Sequence, residues 1–216
     1  MASGDDEWFA DESIWKDLYP FTFPESAFSV GDEQVEKILR LTGVRGGKAL
    51  DLCCGPGRHS VALAKRGFAV TAVDRTRFLL EHARARAAQA NLSVEFVLED
   101  MRRFSRPATF DLIINLFTSF GYFEDQADDV RVLEIVRENL RPSGVFVLEM
   151  VSKERLARQF QATTSRELPN LFRAGDEGLA DNSRISGCAS VWRSGWQFVR
   201  LRRAASHRRR APLGLV

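Results

Sequence analysis

Cysteine is scarce in this chain. Three occur in 216 residues, and two of those are the neighbours Cys53 and Cys54. That excludes both a disulfide framework and a zinc site built on spaced thiolates, and it suits a reducing compartment. No apolar run approaches the roughly 18 residues that a membrane-spanning helix needs. The opening stretch MASGDDEWFADE is acidic and has neither the basic nor the apolar region of a secretory signal. The cytoplasm is the expected location. Acidic residues are missing at the other end: 183–216 holds eight Arg and no Asp or Glu, so within a chain of net charge +2 the first 182 residues carry −6. An acidic body is joined to a basic tail.

The remaining composition, 44% hydrophobic and 28% charged, is ordinary for a soluble globular protein. The length fits one α/β domain with a sizeable core. Residues 49–60 read ALDLCCGPGRHS: a short apolar strand, a Gly-Pro-Gly turn, and a helix over 58–66. Gly55 and Gly57 permit positive φ and let the backbone approach a ligand, and the start of the helix offers N–H groups with no partner inside it. Such a junction suits a polar or anionic group. A third glycine or alanine is lacking. Ser60 stands in its place, giving G-x-G-x-x-S, which disfavours a nicotinamide dinucleotide. D-x-x-x-G-x-G, beginning at Asp51, fits better. Cys54 fills a tight turn and is assigned no chemistry.

The spacing of apolar residues predicts helices over 11–18, 32–42, 76–90 and 125–140, with a further one starting over 153–160. Pro20 and Pro24 are expected to hold PFTFPES extended, an aromatic segment that either folds over a ligand or plugs the edge of the core. Gly43 ends the second helix. Strands are expected over 69–73, 94–98, 110–117 and 145–150, with 141–144 as a turn. Val130, Leu133, Val136 and Leu140 are expected on the inner side of the 125–140 helix. The repeated arginines near Arg84 and Arg86 read as a solvated helix face. Beyond 161 the pattern decays: a hairpin around Ser194 and Gly195 is one reading, and 206–216 has no periodicity. Alternating strand and helix predict a doubly wound, mostly parallel Rossmann-like α/β sheet with helices on both faces. The expected division is a lid segment over 1–31, a core over 32–161, and an atypical, partly disordered C-terminal region over 162–216.

In open parallel sheets, ligands bind beyond the carboxyl ends of the strands. Those ends nominate 51–57, Asp74, Asp100 with Met101, 115–119, and Glu149 with Met150. Asp74 lies about 20 residues past the glycines, where a carboxylate can accept ribose hydroxyls.

Taken together, DLCCGPG, AVD, LEDM, FDLIINLFTSFGYF and RPSGVFVLEM make 15–160 resemble the class I methyltransferases that use S-adenosylmethionine (SAM). The resemblance implies SAM as cofactor and no metal. It places Asp51, Gly55 and Gly57 along the methionine part and Asp74 at the ribose, with Cys53 and Arg75 also among the cofactor contacts. Asp100 and Met101 would hold the adenine, Asn115, Leu116 and Phe117 would pass beside the sulfonium, and Tyr19 and Phe21 would be lid contacts. His59, Tyr122 and Glu149 hold general-base positions, His59 also reading as structural.

The implied acceptor is a small molecule, with no membrane involved and a monomer or dimer as the working unit. One alternative is an RNA acceptor gripped by the arginine tail. Another is a SAM-binding protein without catalysis. The family usually ends with a helix and strands six and seven, the last antiparallel beside strand five. The tail here lacks those signals, so these strands are expected to be atypical or incomplete, whether as a natural variant or through truncation or an altered frame. Were strands six and seven missing, strand five would be an exposed edge.

Overall fold

A computed structural model of the protein describes residues 7–117, 119–151, 196–202 and 214–215. The strands are β1 (Lys48–Leu52), β2 (Ala69–Asp74), β3 (Glu95–Leu98), β4 (Phe110–Asn115), β5 (Leu140–Val151), β6 (Trp196–Arg202) and β7 (Gly214–Leu215). The helices are α1 (Glu12–Thr22), α2 (Glu25–Ser29), α3 (Gly31–Thr42), α4 (Arg58–Lys65), α5 (Arg77–Gln89) and α6 (Gln126–Asn139). All the strands join one sheet in the order β3-β2-β1-β4-β5-β6-β7. The first five are parallel, and β6 and β7 are antiparallel to their neighbours. The order reverses between β1 and β4, and that switch point is where the chain opens a crevice.

Both faces of the sheet are apolar, because helices cover both. Leu112, Ile114, Val145 and Val147 pack with Val35 and Ile38 of α3 and Ala62 and Leu63 of α4. Their neighbours Ile113, Phe146 and Leu148 point the other way and pack with Val132 and Val136 of α6. Leu80 of α5 meets Ala72 on the first face. In α6 the buried stripe is Val132, Ile135, Val136 and Asn139, spaced three and four apart. The expected inner residue Val130 is 49% exposed, so the stripe is rotated from the one expected.

Two expectations at element ends are corrected, and a third, conditional one does not arise. PFTFPES is not extended: α1 runs through Pro20 to Thr22, and the chain turns only at Phe23. A proline costs a helix one internal hydrogen bond. Here that loss falls in the last turn, and Asp11 caps the other end by accepting from the Ser13 N–H at 2.8 Å. Residues 141–144 do not separate helix from strand. They form an irregularity inside β5, where the pairing passes from Phe110 with Leu140 to Leu112 with Val145 and Ser143 takes φ 69°. Finally, β5 is not an open edge. Residues 145–151 pair along their length with 202–196 of β6, and β7 pairs outside β6. The last strand is therefore the outer one, not the one inserted beside β5. The first arm of the hairpin expected at Ser194 and Gly195, and the helix expected at 153–160, lie outside the described residues.

Candidate cofactor site

The chain leaves β1 through a turn with three consecutive uses of the left-handed region: Cys53 at φ 61°, Gly55 at 54° and Gly57 at 83°. Only glycine takes that region without strain, so Cys53 stores some. A Cβ at Gly57 would stand 2.9 Å from the Ala83 Cβ, which lets α5 press against the turn. Asp74, at the end of β2, fixes the turn from outside. Its Oδ2 accepts from the Gly55 N–H at 2.8 Å and its Oδ1 from the Thr76 N–H at 2.9 Å. The Thr76 side chain adds a further hydrogen bond to the same carboxylate.

Asp51 faces α4, where the Ser60 hydroxyl donates to its Oδ2 at 2.5 Å. The residue that breaks the dinucleotide pattern thus has a task of its own: it holds the motif's carboxylate. Burial pushes the Asp51 pKa up to about 6, with the nearby Asp74 charge adding to the rise. Burial likewise raises Asp74, while the backbone N–H groups of Thr76 and Gly55 oppose it. The thiols of Cys53 and Cys54 are pushed well above their ordinary range by burial and by the surrounding carboxylates, which makes both inert at neutral pH.

Around this turn lies an open cavity with about 960 Å³ of empty space, open solvent at its mouth included. Asp51, Cys53, Gly55, Asp74, Arg75, Asp100, Met101, Leu116 and Phe117 all line it. Gly57 and Asn115 do not: Gly57 packs on Ala83, and Asn115 is fully buried behind Met101, with its Nδ2 3.8 Å from the Met101 sulfur. Tyr19 and Phe21 are also outside the lining. Because α1 continues through Pro20, Phe21 points to solvent, 74% exposed, and Tyr19 packs against Phe23, Phe78 and His82.

The aromatic cover comes instead from Phe9, Trp15 and Phe23, facing Phe117, Tyr122 and Phe123. The segment carrying Phe9 is tied down by charge. Glu7 accepts from Arg75 at 2.8 Å and from Arg102 at 2.7 and 2.9 Å. Arg102 also donates to Asp100 at 3.0 and 2.7 Å and to Asp128 at 2.7 Å. Burial alone would raise the Asp100 pKa, but the hydrogen bonds from Arg102 outweigh it and hold the carboxyl below its ordinary value. The sequence signal for this cluster was present, in the arginines next to each strand-end carboxylate, but its partner Glu7 is 68 residues or more away.

Of the three general-base positions, His59 and Tyr122 line the cavity and Glu149 does not. His59 Nε2 lies 2.9 Å from Gln34 Oε1, and burial together with the adjacent Arg58 lowers its pKa to about 3, so it stays neutral at physiological pH. Glu149 Oε2 accepts from the Phe117 N–H at 3.0 Å and sets the end of β4. Phe117 itself takes φ 65°. Among the described residues, no cluster of His, Cys, Asp and Glu could hold a metal ion, and no helix is long and apolar enough to cross a membrane.

The geometry can now be set beside known proteins. A family model described as a methyltransferase domain matches residues 49–144. Residues 49–144 are thus similar to a methyltransferase domain, carried on a Rossmann-like α/β sheet. Among the relatives of this domain, a provisionally named methyltransferase of Geobacillus sp. (strain WCH70) is 28% identical over 157 residues, 72% of this chain and 61% of that protein. A ubiquinone biosynthesis O-methyltransferase of Coxiella burnetii is 27% identical over 144 residues, 66% of this chain and 60% of that protein. The chain thus spans about three-fifths of the length of these two relatives. A solved structure from Methanococcus maripaludis, provisionally described as an S-adenosyl-L-methionine-dependent methyltransferase, superposes with a TM-score of 0.64 at 18% identity. It covers 96% of this chain and 99% of its own, a likeness of fold alone.

Proposed function

We propose that the cavity binds S-adenosylmethionine and that the protein transfers its methyl group to a small-molecule acceptor. One observation carries this reading: three carboxylates from successive strand ends, Asp51, Asp74 and Asp100, converge on one cavity with the glycine turn. The donor set fits a cofactor that has an amino-acid end, a ribose and a base. Asp51 is placed for an ammonium. Asp74, a cavity-lining carboxylate at the end of β2, suits paired hydroxyls. Met101, Leu116 and Cys53 supply apolar wall. Asp100 is already held by Arg102, which fills Oδ1 with two bonds and leaves Oδ2, with one, as the oxygen for an adenine contact.

When bound, SAM would supply an activated methyl on a sulfonium, and the protein's contribution is then placement and exclusion of water. Phe9, Trp15, Phe23 and Phe117 make the cover dry, and aromatic faces stabilise a nearby cation. His59, neutral and tied to Gln34, serves to position the start of α4, and Tyr122 is the cavity-lining group with an ionisable hydroxyl. The O-methyltransferase name of the Coxiella burnetii relative favours a small-molecule acceptor. An RNA acceptor would draw on the basic tail and show a steep fall of binding with salt.

Calorimetric titration of the full chain with SAM, S-adenosylhomocysteine and NADH tests the cofactor. Both adenosyl sulfur compounds are expected to bind and NADH to fail; NADH binding in their place would overturn the reading. Asp74→Asn is the informative variant. It keeps one acceptor for the turn and loses the second, and it should weaken S-adenosylhomocysteine by on the order of tenfold.

A further inference from the structure

A second open cavity, with about 640 Å³ of empty space including solvent at its mouth, borders the glycine turn. Phe28 of α2, Asp32 of α3, Val61, Ala62 and Lys65 of α4, and Arg86 of α5 line it. With Arg58, which lines both cavities, its walls carry three cations against one carboxylate. That balance favours an anionic occupant. The carbonyl end of α5 does not offset it, because the carbonyls of Arg86, Ala87 and Ala88 accept from the N–H groups of Ala90, Leu92 and Asn91 in turn.

The carboxylates that hold Lys65 and Arg86 are open to water. Lys65 Nζ donates to Asp32 Oδ2 at 3.0 Å; Asp32 is 42% exposed and also accepts from Arg66 at 2.7 Å. An ammonium has three donors, so Lys65 has two more to give. Arg86 stacks on Phe28, its guanidinium carbon 3.3 Å from the ring centre, and its terminal nitrogens donate to Glu25 at 2.5 and 3.3 Å. Glu25 is 80% exposed, and an ion pair so solvated contributes little. A phosphate group brings about two negative charges and several acceptor oxygens to the same fork, more than the single carboxylate there.

We infer that this cavity is a second binding site, taking a phosphate dianion, free or as the monoester of a small organic molecule, on Lys65 and Arg86. Arg86 stays stacked on Phe28 and exchanges the Glu25 carboxylate for phosphoryl oxygens. Lys65 adds its remaining donors, and Val61 and Ala62 give an organic group an apolar wall. The site does not depend on what fills the first cavity.

NMR titration of the isotope-labelled full chain with inorganic phosphate and with phenyl phosphate, at ionic strength held constant with sodium chloride, tests it. The variants are Lys65→Gln, Glu25→Gln and, as a control for general charge, Arg103→Gln, which lines neither cavity and is 76% exposed. Saturable shifts are expected around Lys65 and Arg86. Lys65→Gln should weaken binding about tenfold, and Arg103→Gln should leave it unchanged. Glu25→Gln should tighten it several-fold, because the competing carboxylate is gone; a merely structural Glu25–Arg86 pair gives no such gain. Phenyl phosphate binding more tightly than phosphate assigns a monoester, and no gain from the phenyl group assigns free phosphate. The inference is overturned if neither probe binds saturably, if Lys65→Gln loses no more affinity than Arg103→Gln, or if Glu25→Gln fails to tighten binding.

Discussion

Asp51 carries a titration that binding should expose. Its folded pKa of about 6 stands above the ordinary value of 3.8, so the folded protein holds an extra proton between those limits. The stability contributed by the protonated form is fully present below the ordinary value and is lost as the pH rises through about 6. His59 runs the other way. With its pKa lowered to about 3 from 6.5, its contribution is lost as the pH falls through that window. Asp51→Asn therefore separates the two: its thermal stability relative to wild type should rise with pH between about 4 and 6. Under the proposed function, a ligand ammonium stabilises the ionised carboxylate. S-adenosylhomocysteine affinity should then climb about tenfold per pH unit below about pH 6 in the wild type, and much less steeply in Asp51→Asn. Calorimetry across that range checks it, and equal profiles for the two proteins would remove Asp51 from the site.

At the scale of elements, the cover over the cavity is a helix-and-segment device pinned by charge. Glu7, Arg75, Arg102, Asp100 and Asp128 tie the N-terminal segment to the ends of β2 and β3 and to α6. Their partial exposure makes this latch sensitive to salt. Glu7→Gln removes the charge that bridges both arginines. It should speed release of S-adenosylhomocysteine several-fold, with the effect shrinking as ionic strength rises from about 0.05 to about 0.5 M, where screening becomes short-ranged. Stopped-flow displacement measures it, and an unchanged release rate would show that this segment does not gate the cavity. The strands that carry the site were readable because each ends where an apolar run meets Asp, Asn or Gly. The cover was not. Reading Pro20 as a helix breaker put Tyr19 and Phe21 over the cavity, whereas a last-turn proline let α1 continue and turned Phe21 outward. Phe9 and Glu7 gave no periodic signal, because a three-residue helix, Trp8–Ala10, has none to give. Arg86 escaped for a similar reason: it reads as a solvated face but pairs with Glu25 at 2.5 Å and stacks on Phe28, which α2 supplies.

For the molecule as a whole, the question the sequence left open was what lies beside β5. Its segment over 145–151, VFVLEMV, is almost continuously apolar, and the basic tail showed no alternation that would nominate a partner. Pairing depends on backbone hydrogen bonds, which composition does not reveal, and 196–202 supplies them along the full segment. A chain ended after residue 195 would lose β6 and β7 and leave seven residues of β5 with open backbone donors and acceptors. Unpaired, apolar edges of that length recruit other strands. The shortened chain should therefore show a larger particle mass by light scattering than the full chain at equal concentration, rising with concentration. Because β1, β2 and β4 and the glycine turn keep their neighbours, its dispersed fraction should still bind S-adenosylhomocysteine. A shortened chain with the same particle mass as the full one would mean that β6 does not protect this edge in solution.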